Sequence, residues 1–416
     1  MFSIRITRFD CRTDASIAEL RSRRSHRHPA DRRACGGIRE GRRTDRSGSR
    51  VAARLDQPLD FPALAKAIVP DDQIVLALGD DVPAPARLVA GVVAYLQDHG
   101  VTPEQIRVLR TQAEEARGQD PLADCSDDVR AAIRLVTHHP ERRGDLAYLA
   151  ADAAAEPIYF QRCLIEADLI IPVLAAARPG QRHSPTGLYP IYADDSAQDR
   201  HRSAGKPAVK KKGTKKSPEP IAPEDDEPLD SLLCVQFAIR AVAVDDRHPT
   251  KILAGECLTV DRAATAAYGE LCTVVVGAPR QTLVAGVPSD VPLTWRRFSE
   301  LVTRLMPHVR ADGDLVICAD LDPELPEALR SWAASSWLDE VLDELRTAEI
   351  PGWRTVVELA AARDHARIYL VSNLPSAAVE DLGFAPIATT EELARVLGDG
   401  RDALIVPNAD RMTLVE

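Results

Sequence analysis

The stretch Gln73–Leu78 (QIVLAL) is apolar at every position after the first, so a strand here must be covered on both faces. Next, Leu88, Val89, Val92, Val93 and Leu96 recur at helical spacing and the pattern stops at Gly100, which predicts an amphipathic helix. Ile106–Leu109 reads as a second buried strand, Ser126 as the cap of a helix running through Ile133, Pro157–Phe160 as extended, and Leu169–Val173 as another apolar strand. Doubly covered strands alternating with helices imply a largely parallel sheet flanked by helices.

The same logic recurs toward the C-terminus. Strands are expected at Cys234–Val244, Thr273–Val276, Asp314–Cys318, Arg367–Val371 and Ala403–Val406, with helices near Thr294–Met306 and Pro326–Leu345. Ser376–Leu382 ends in Gly383 and apolar Phe384, the pattern of a Schellman stop, and Thr389 with Glu392 forms a capping box. Between the two halves, residues 203–230 pass from a lysine run (Lys206, Lys210, Lys211, Lys212, Lys215, Lys216) to proline and acid, a composition that cannot bury a core. The expected organisation is therefore an Arg-rich disordered extension over 1–54, a domain over 55–202, a charged linker over 203–230 and a domain over 231–416. The expected fold class is two α/β domains with mainly parallel sheets flanked by helices and a cleft between them.

Composition removes several function classes. A net charge of −11 lacks the basic footprint of general nucleic-acid binding, although fourteen arginines crowd the first fifty residues. No window reaches the roughly 18 unbroken apolar residues of a membrane span, and the N-terminal stretch has no apolar segment of a secretory signal. The eight cysteines are scattered without a CxxC pair, so no zinc site is legible and a reduced, cytoplasmic setting is expected. No GxGxxG or Walker-type loop is present to cradle a dinucleotide or ATP.

Three passages, taken in order, resemble the nickel-pincer lactate racemase family. The first is Leu76-Ala77-Leu78-Gly79-Asp80-Asp81-Val82-Pro83-Ala84-Pro85 with the helix after it, where Val82 stands in place of the family's arginine. The second is His138-His139-Pro140 followed by the passage ending in Glu166-Ala167-Asp168. The third runs from Ala366 to Leu397, with Gly313–Leu321 upstream. The resemblance implies a racemase or epimerase acting at a hydroxyl-bearing carbon of a small hydroxy acid. It also implies a nickel-pincer nucleotide tethered to a lysine and bound to nickel through a histidine. A catalytically degenerate homologue, kept for small-ligand binding or regulation, is the alternative.

Carried over residue by residue, the resemblance puts Glu114 at the place of the family's first catalytic histidine, within Arg110-Thr111-Gln112-Ala113-Glu114-Glu115. A carboxylate can serve as a base there if burial raises its pKa. The family's Pro-His and Gly-Gly-x-Lys loop becomes Ala177–Pro190, which contains His183, Arg178 and Arg182 but no lysine. His183 is the expected acid/base, because loops beyond strand ends of open α/β sheets place ligands. Arg178 and Arg182 are expected to clamp a carboxylate or phosphate, with Asp80, Asp81 and Thr111 also facing the ligand. His138 takes the family's His-Asp position, and His201 falls where a nickel ligand stands. In the second half, Arg296 or Arg297 stands where the family places a substrate-binding lysine. The expected partner is a small carboxylate.

Overall fold

The computed structural model describes residues 45–151, 155–179, 183–204, 232–244, 249–287, 292–335, 338–348, 350, 352–398 and 402–415. Most of the Arg-rich extension, residues 205–231 and Arg182 lie outside these. Two compact units divide between Leu271 and Cys272.

The first unit is built on β1 (Ile74–Leu78), β2 (Ile106–Thr111), β3 (Arg134–His138), the hairpin β4 (Leu146–Ala151) and β5 (Pro157–Gln161), then β6 (Leu169–Ala175), β7 (Phe237–Val242) and β8 (Lys251–Glu256). Six of these form one sheet in the order β3-β2-β1-β6-β7-β8, parallel throughout except for the final pair. Every side chain of β1 is buried, as its composition requires. Side chains alternate across the sheet. Ile74, Leu76 and Leu78 face the helix Pro85–Asp98 through Leu88, Val92 and Leu96. Val75 and Ala77 face a second layer that contains Phe160, Leu188 and Tyr192. Each large apolar side chain so enclosed contributes about 1.5–3 kcal/mol.

Two expected boundaries move. The extension was expected to reach residue 54, yet the helix Asp45–Asp56 buries Val51 and Leu55 in the first core, with Val51 packed against Gly91. The second domain was expected to begin at 231, yet β7 pairs with β6 in the register Val173↔Ile239, so the chain returns to the first sheet after residues 205–231. The helix Cys257–Cys272 closes this unit.

The second unit carries β9 (Thr273–Val275), β10 (Arg280–Gly286), β11 (Val309–Cys318), β12 (Arg367–Val371), β13 (Ala385–Pro386), β14 (Ala403–Val406) and β15 (Thr413–Val415). Five form a parallel sheet ordered β13-β12-β11-β10-β14, and β9 pairs with β15. The punctuation expected here is in place. Gly383 sits at φ 72°, its N–H bonds the Glu380 carbonyl, and the Phe384 N–H bonds that of Val379, the Schellman pattern. Thr389 Oγ1 accepts from the Glu392 N–H while the Glu392 carboxylate accepts from the Thr389 N–H. The single helix expected over Pro326–Leu345 is two, Glu327–Ala333 and Leu338–Thr347. Ser126 stands at its expected N-cap position without a side-chain bond to the helix Asp127–Ala132.

Candidate functional site

In the first sheet the chain leaves β1 toward β2 on one side and later returns as β6 on the other. Open α/β sheets bind ligands at such a reversal, beyond the carboxyl ends of the strands. Here that end is closed by the protein itself. A Cβ on Gly79 or Gly187 would come within 2.8 and 2.5 Å of the Leu174 side chain, so the two loops are pressed onto β6. Tyr192 lies fully buried, its hydroxyl donating to the Leu78 carbonyl and, at 3.3 Å, to that of Leu109. Burial, reinforced by the charge of Asp80, pushes its pKa well above the ordinary phenol value.

Four of the expected residues meet beside this plug. Thr111 Oγ1 donates to Asp80 Oδ1 at 2.6 Å and accepts from the Glu114 N–H at 3.2 Å. Glu114 Oε1 accepts from the Asp81 N–H and from Arg117 Nη1, both at 3.0 Å, and Arg117 also reaches Asp81 Oδ1 at 3.0 Å. The hollow lined by Glu114, Gly79 and Arg110 measures about 10 Å³, which holds no more than about one water. As a general base, Glu114 would have to give up its ion pair first.

His138 ends β3 and is 2% exposed. Its Nδ1 lies 2.9 Å from Gln161 Oε1 and its Nε2 3.1 Å from the Ala193 carbonyl, so the ring ties β3 to β5 and to the turn before the helix Asp195–Ala204. Burial pushes its pKa down, and the two acceptors only partly oppose this. A depressed folded pKa means that the unfolded chain takes up the proton first, near the ordinary histidine value of about 6.5. The stability held by the neutral ring is therefore present above about pH 6.5 and lost as pH falls from there toward the lower folded value. Urea midpoints at pH 7.5 and 5.5 are expected to fall further apart for the natural chain than for His138→Gln. Equal spacing would show that His138 does not set the acid lability.

His183 lies elsewhere, on the loop after β6. Its Nε2 is 2.8 Å from Asp261 Oδ1, and the same oxygen forms an ion pair with Arg240, 2.9 Å from Nη2. Arg240, on β7, is 3% exposed and also donates to the carbonyls of Ala175, Ser184 and Pro185. Burial pulls its pKa down, and Asp261 opposes that pull. Arg178 Nε donates to the hydroxyl of Tyr268, on the same helix as Asp261. A histidine donating to a carboxylate that is itself held by a buried guanidinium has its ring orientation and tautomer fixed.

The three expected acid/base residues thus occupy three different surroundings. Glu114 stands in an ion-paired cluster, His138 is sealed inside, and His183 is half-buried on a charged chain. His201 meets the Tyr189 ring edge-on at 5.3 Å, and among the described residues no three His, Cys, Asp or Glu side chains are gathered to hold a metal. Arg296 pairs with Glu300 on a solvated helix face, while Trp295 is buried and donates to the Asp322 carbonyl. Asp261 and Arg240 are the residues that the sequence reading missed. Arg240 had a signal, a charge set between Ile239 and Ala241 in an apolar strand, which demands buried partners.

Fold and site together define a two-unit α/β protein of mainly parallel, helix-flanked sheets, with a His–Asp–Arg chain in its first unit. Its fold is that of lactate racemase. The lactate racemase apoprotein from Thermoanaerobacterium thermosaccharolyticum superposes with a TM-score of 0.67 over 89% of this chain and 93% of that one, at 12% identity. A structural-genomics protein from Thermotoga maritima follows at a TM-score of 0.59 and 10% identity, covering 89% of this chain and 98% of its own. No family model and no curated protein matches the sequence. The likeness is therefore one of fold. No described helix is long and apolar enough to cross a membrane.

Proposed function

We propose that this protein is a cytoplasmic, lactate racemase-like protein whose first unit binds a small hydroxy acid, with His183 exchanging the hydroxyl proton. The reaction class is racemisation or epimerisation at the hydroxyl-bearing carbon, in which the carbon-bound hydrogen leaves as hydride to an acceptor that this chain's own side chains do not supply. The observation that carries the reading is the contact of His183 Nε2 with Asp261 Oδ1, backed by Arg240. With Nε2 donating to Asp261, the carboxylate stabilises the imidazolium that forms when the ring takes a proton.

A nickel-pincer nucleotide tethered through a thioamide needs a primary amine in the loop after β6. Residues 176–190 contain none. Outside the 206–216 run the lysines are Lys66, in the short helix Leu64–Ala67, and Lys251, which opens β8. The residues do not fit that tether, and no step is routed through it. This mismatch favours a second reading, a scaffold retained for ligand binding or regulation without turnover.

Expression with and without pincer-synthesis machinery separates the two. Chiral chromatography of small 2-hydroxy acids is expected to show stereochemical exchange, and His183→Ala to lower it about 100-fold or more. Folded, nickel-free protein without exchange would remove the enzyme reading, and undiminished exchange in His183→Ala would remove His183 from it.

A further inference from the structure

Arg240 stands in β7, but what it holds lies after β6. Its Nη1 donates to the Ala175 carbonyl at 3.1 Å, and its Nη2 to those of Ser184 and Pro185 at 3.3 and 2.8 Å. One buried guanidinium thus grips the chain where it leaves β6 and again on the two residues that follow His183. The flat fork of arginine lets one side chain meet acceptors on two sides, which the single nitrogen of lysine cannot match. Asp261 Oδ1 lies 2.9 Å from Arg240 Nη2 and 2.8 Å from His183 Nε2, which sets guanidinium and ring within about 6 Å of each other. Asp261 favours a charged imidazolium, and Arg240 opposes it. Arg178, on the same loop as His183, is engaged by Tyr268 of the helix that carries Asp261.

We infer that Arg240 is a positioning residue for His183, clamping both the loop that carries the ring and the carboxylate against which the ring is set. This role rests on the hydroxy-acid reading above, in which His183 exchanges the hydroxyl proton. Position comes from the three carbonyl bonds, whose acceptors belong to the backbone and cannot rotate away as side chains can. Balance comes from charge. A ring facing Asp261 alone would hold its proton tightly, whereas the nearby guanidinium lets it give the proton back. Exchange of a hydroxyl proton needs both uptake and release. β7 joins β6 only after residues 205–231, so the clamp reaches His183 from a separate stretch of chain.

The test uses the full chain with Arg240→Gln and Arg240→Lys. It reads the His183 ring by NMR titration and the amide exchange of Gly187, whose N–H bonds the Ser184 carbonyl that Arg240 grips. Gln lacks the charge, so the titration midpoint of His183 is expected to rise by about one pH unit. Lys keeps the charge but not the fork. Its midpoint is expected to stay within about 0.3 unit while Gly187 exchanges about tenfold faster. An unmoved midpoint in Arg240→Gln, or exchange in Arg240→Lys as slow as in the natural chain, overturns the clamp. Should Arg240→Gln fail to fold, Arg240→Lys still decides through Gly187. Neither readout needs turnover, so both responses without stereochemical exchange keep the clamp and remove the reaction. Stereochemical exchange undiminished in Arg240→Lys keeps the reaction and removes the positioning role.

Discussion

Exchanging Asp261 for asparagine is expected to lower the stability of the first unit by about 3 kcal/mol. Asn keeps the shape and one acceptor oxygen but removes the charge that meets Arg240, a guanidinium 3% exposed to water. Arginine cannot shed its proton to escape, so the folded state must carry a buried cation held only by carbonyl dipoles. The double variant Asp261→Asn with Arg240→Met is expected to recover much of the loss, because exchanging both members of a buried pair is far milder than removing one. Urea unfolding followed by circular dichroism measures both. A single variant within about 0.5 kcal/mol of the natural chain would mean that the carbonyls of Ala175, Ser184 and Pro185 suffice, and the orienting role given to Asp261 would lose its basis.

The same pair shows where the sequence stops being readable. Strands β1 and β6 are legible because doubly covered strands are apolar throughout, and β2 through its buried Ile106, Val108 and Leu109. β3 is not: Arg134–His138 lies at the sheet edge, mostly half-buried, and carries no such run. β7 was legible as a strand and still assigned to the wrong unit, since composition reveals that a segment is a strand but not which edge it joins. His183 could be found from its place after an apolar strand. Asp261 could not, because it lies 78 residues on in a helix, and only the pairing of β7 with β6 brings the two together. Local signals of short range, such as the capping box at Thr389 and the stop at Gly383, carried over intact. Contacts set by tertiary packing did not.

Gly255→Ala is the second change with a large expected effect, about 3 kcal/mol. Gly255 lies in β8 with φ at 146°, where L side chains are strained. The greater obstacle is its neighbour. Leu59 bridges the outer edge of β8, donating its N–H to the Ala254 carbonyl at 2.8 Å and accepting from the Glu256 N–H at 2.9 Å. A Cβ on residue 255 would stand 2.1 Å from the Leu59 carbonyl oxygen and 2.5 Å from its nitrogen, and backbone atoms cannot turn aside as a side chain can. Alanine must therefore expel Leu59 and forfeit both hydrogen bonds, each worth about 1 kcal/mol, on top of the φ strain. Gly100→Ala is the control. Its φ is 90° but nothing lies within 4 Å, so strain alone, about 1 kcal/mol, is expected. Denaturant midpoints compare the two, and amide exchange at Glu256 reports whether the edge has opened. Equal losses in both variants, with Glu256 still protected, would show that the edge yields without breaking and that close backbone approach is not what requires glycine there.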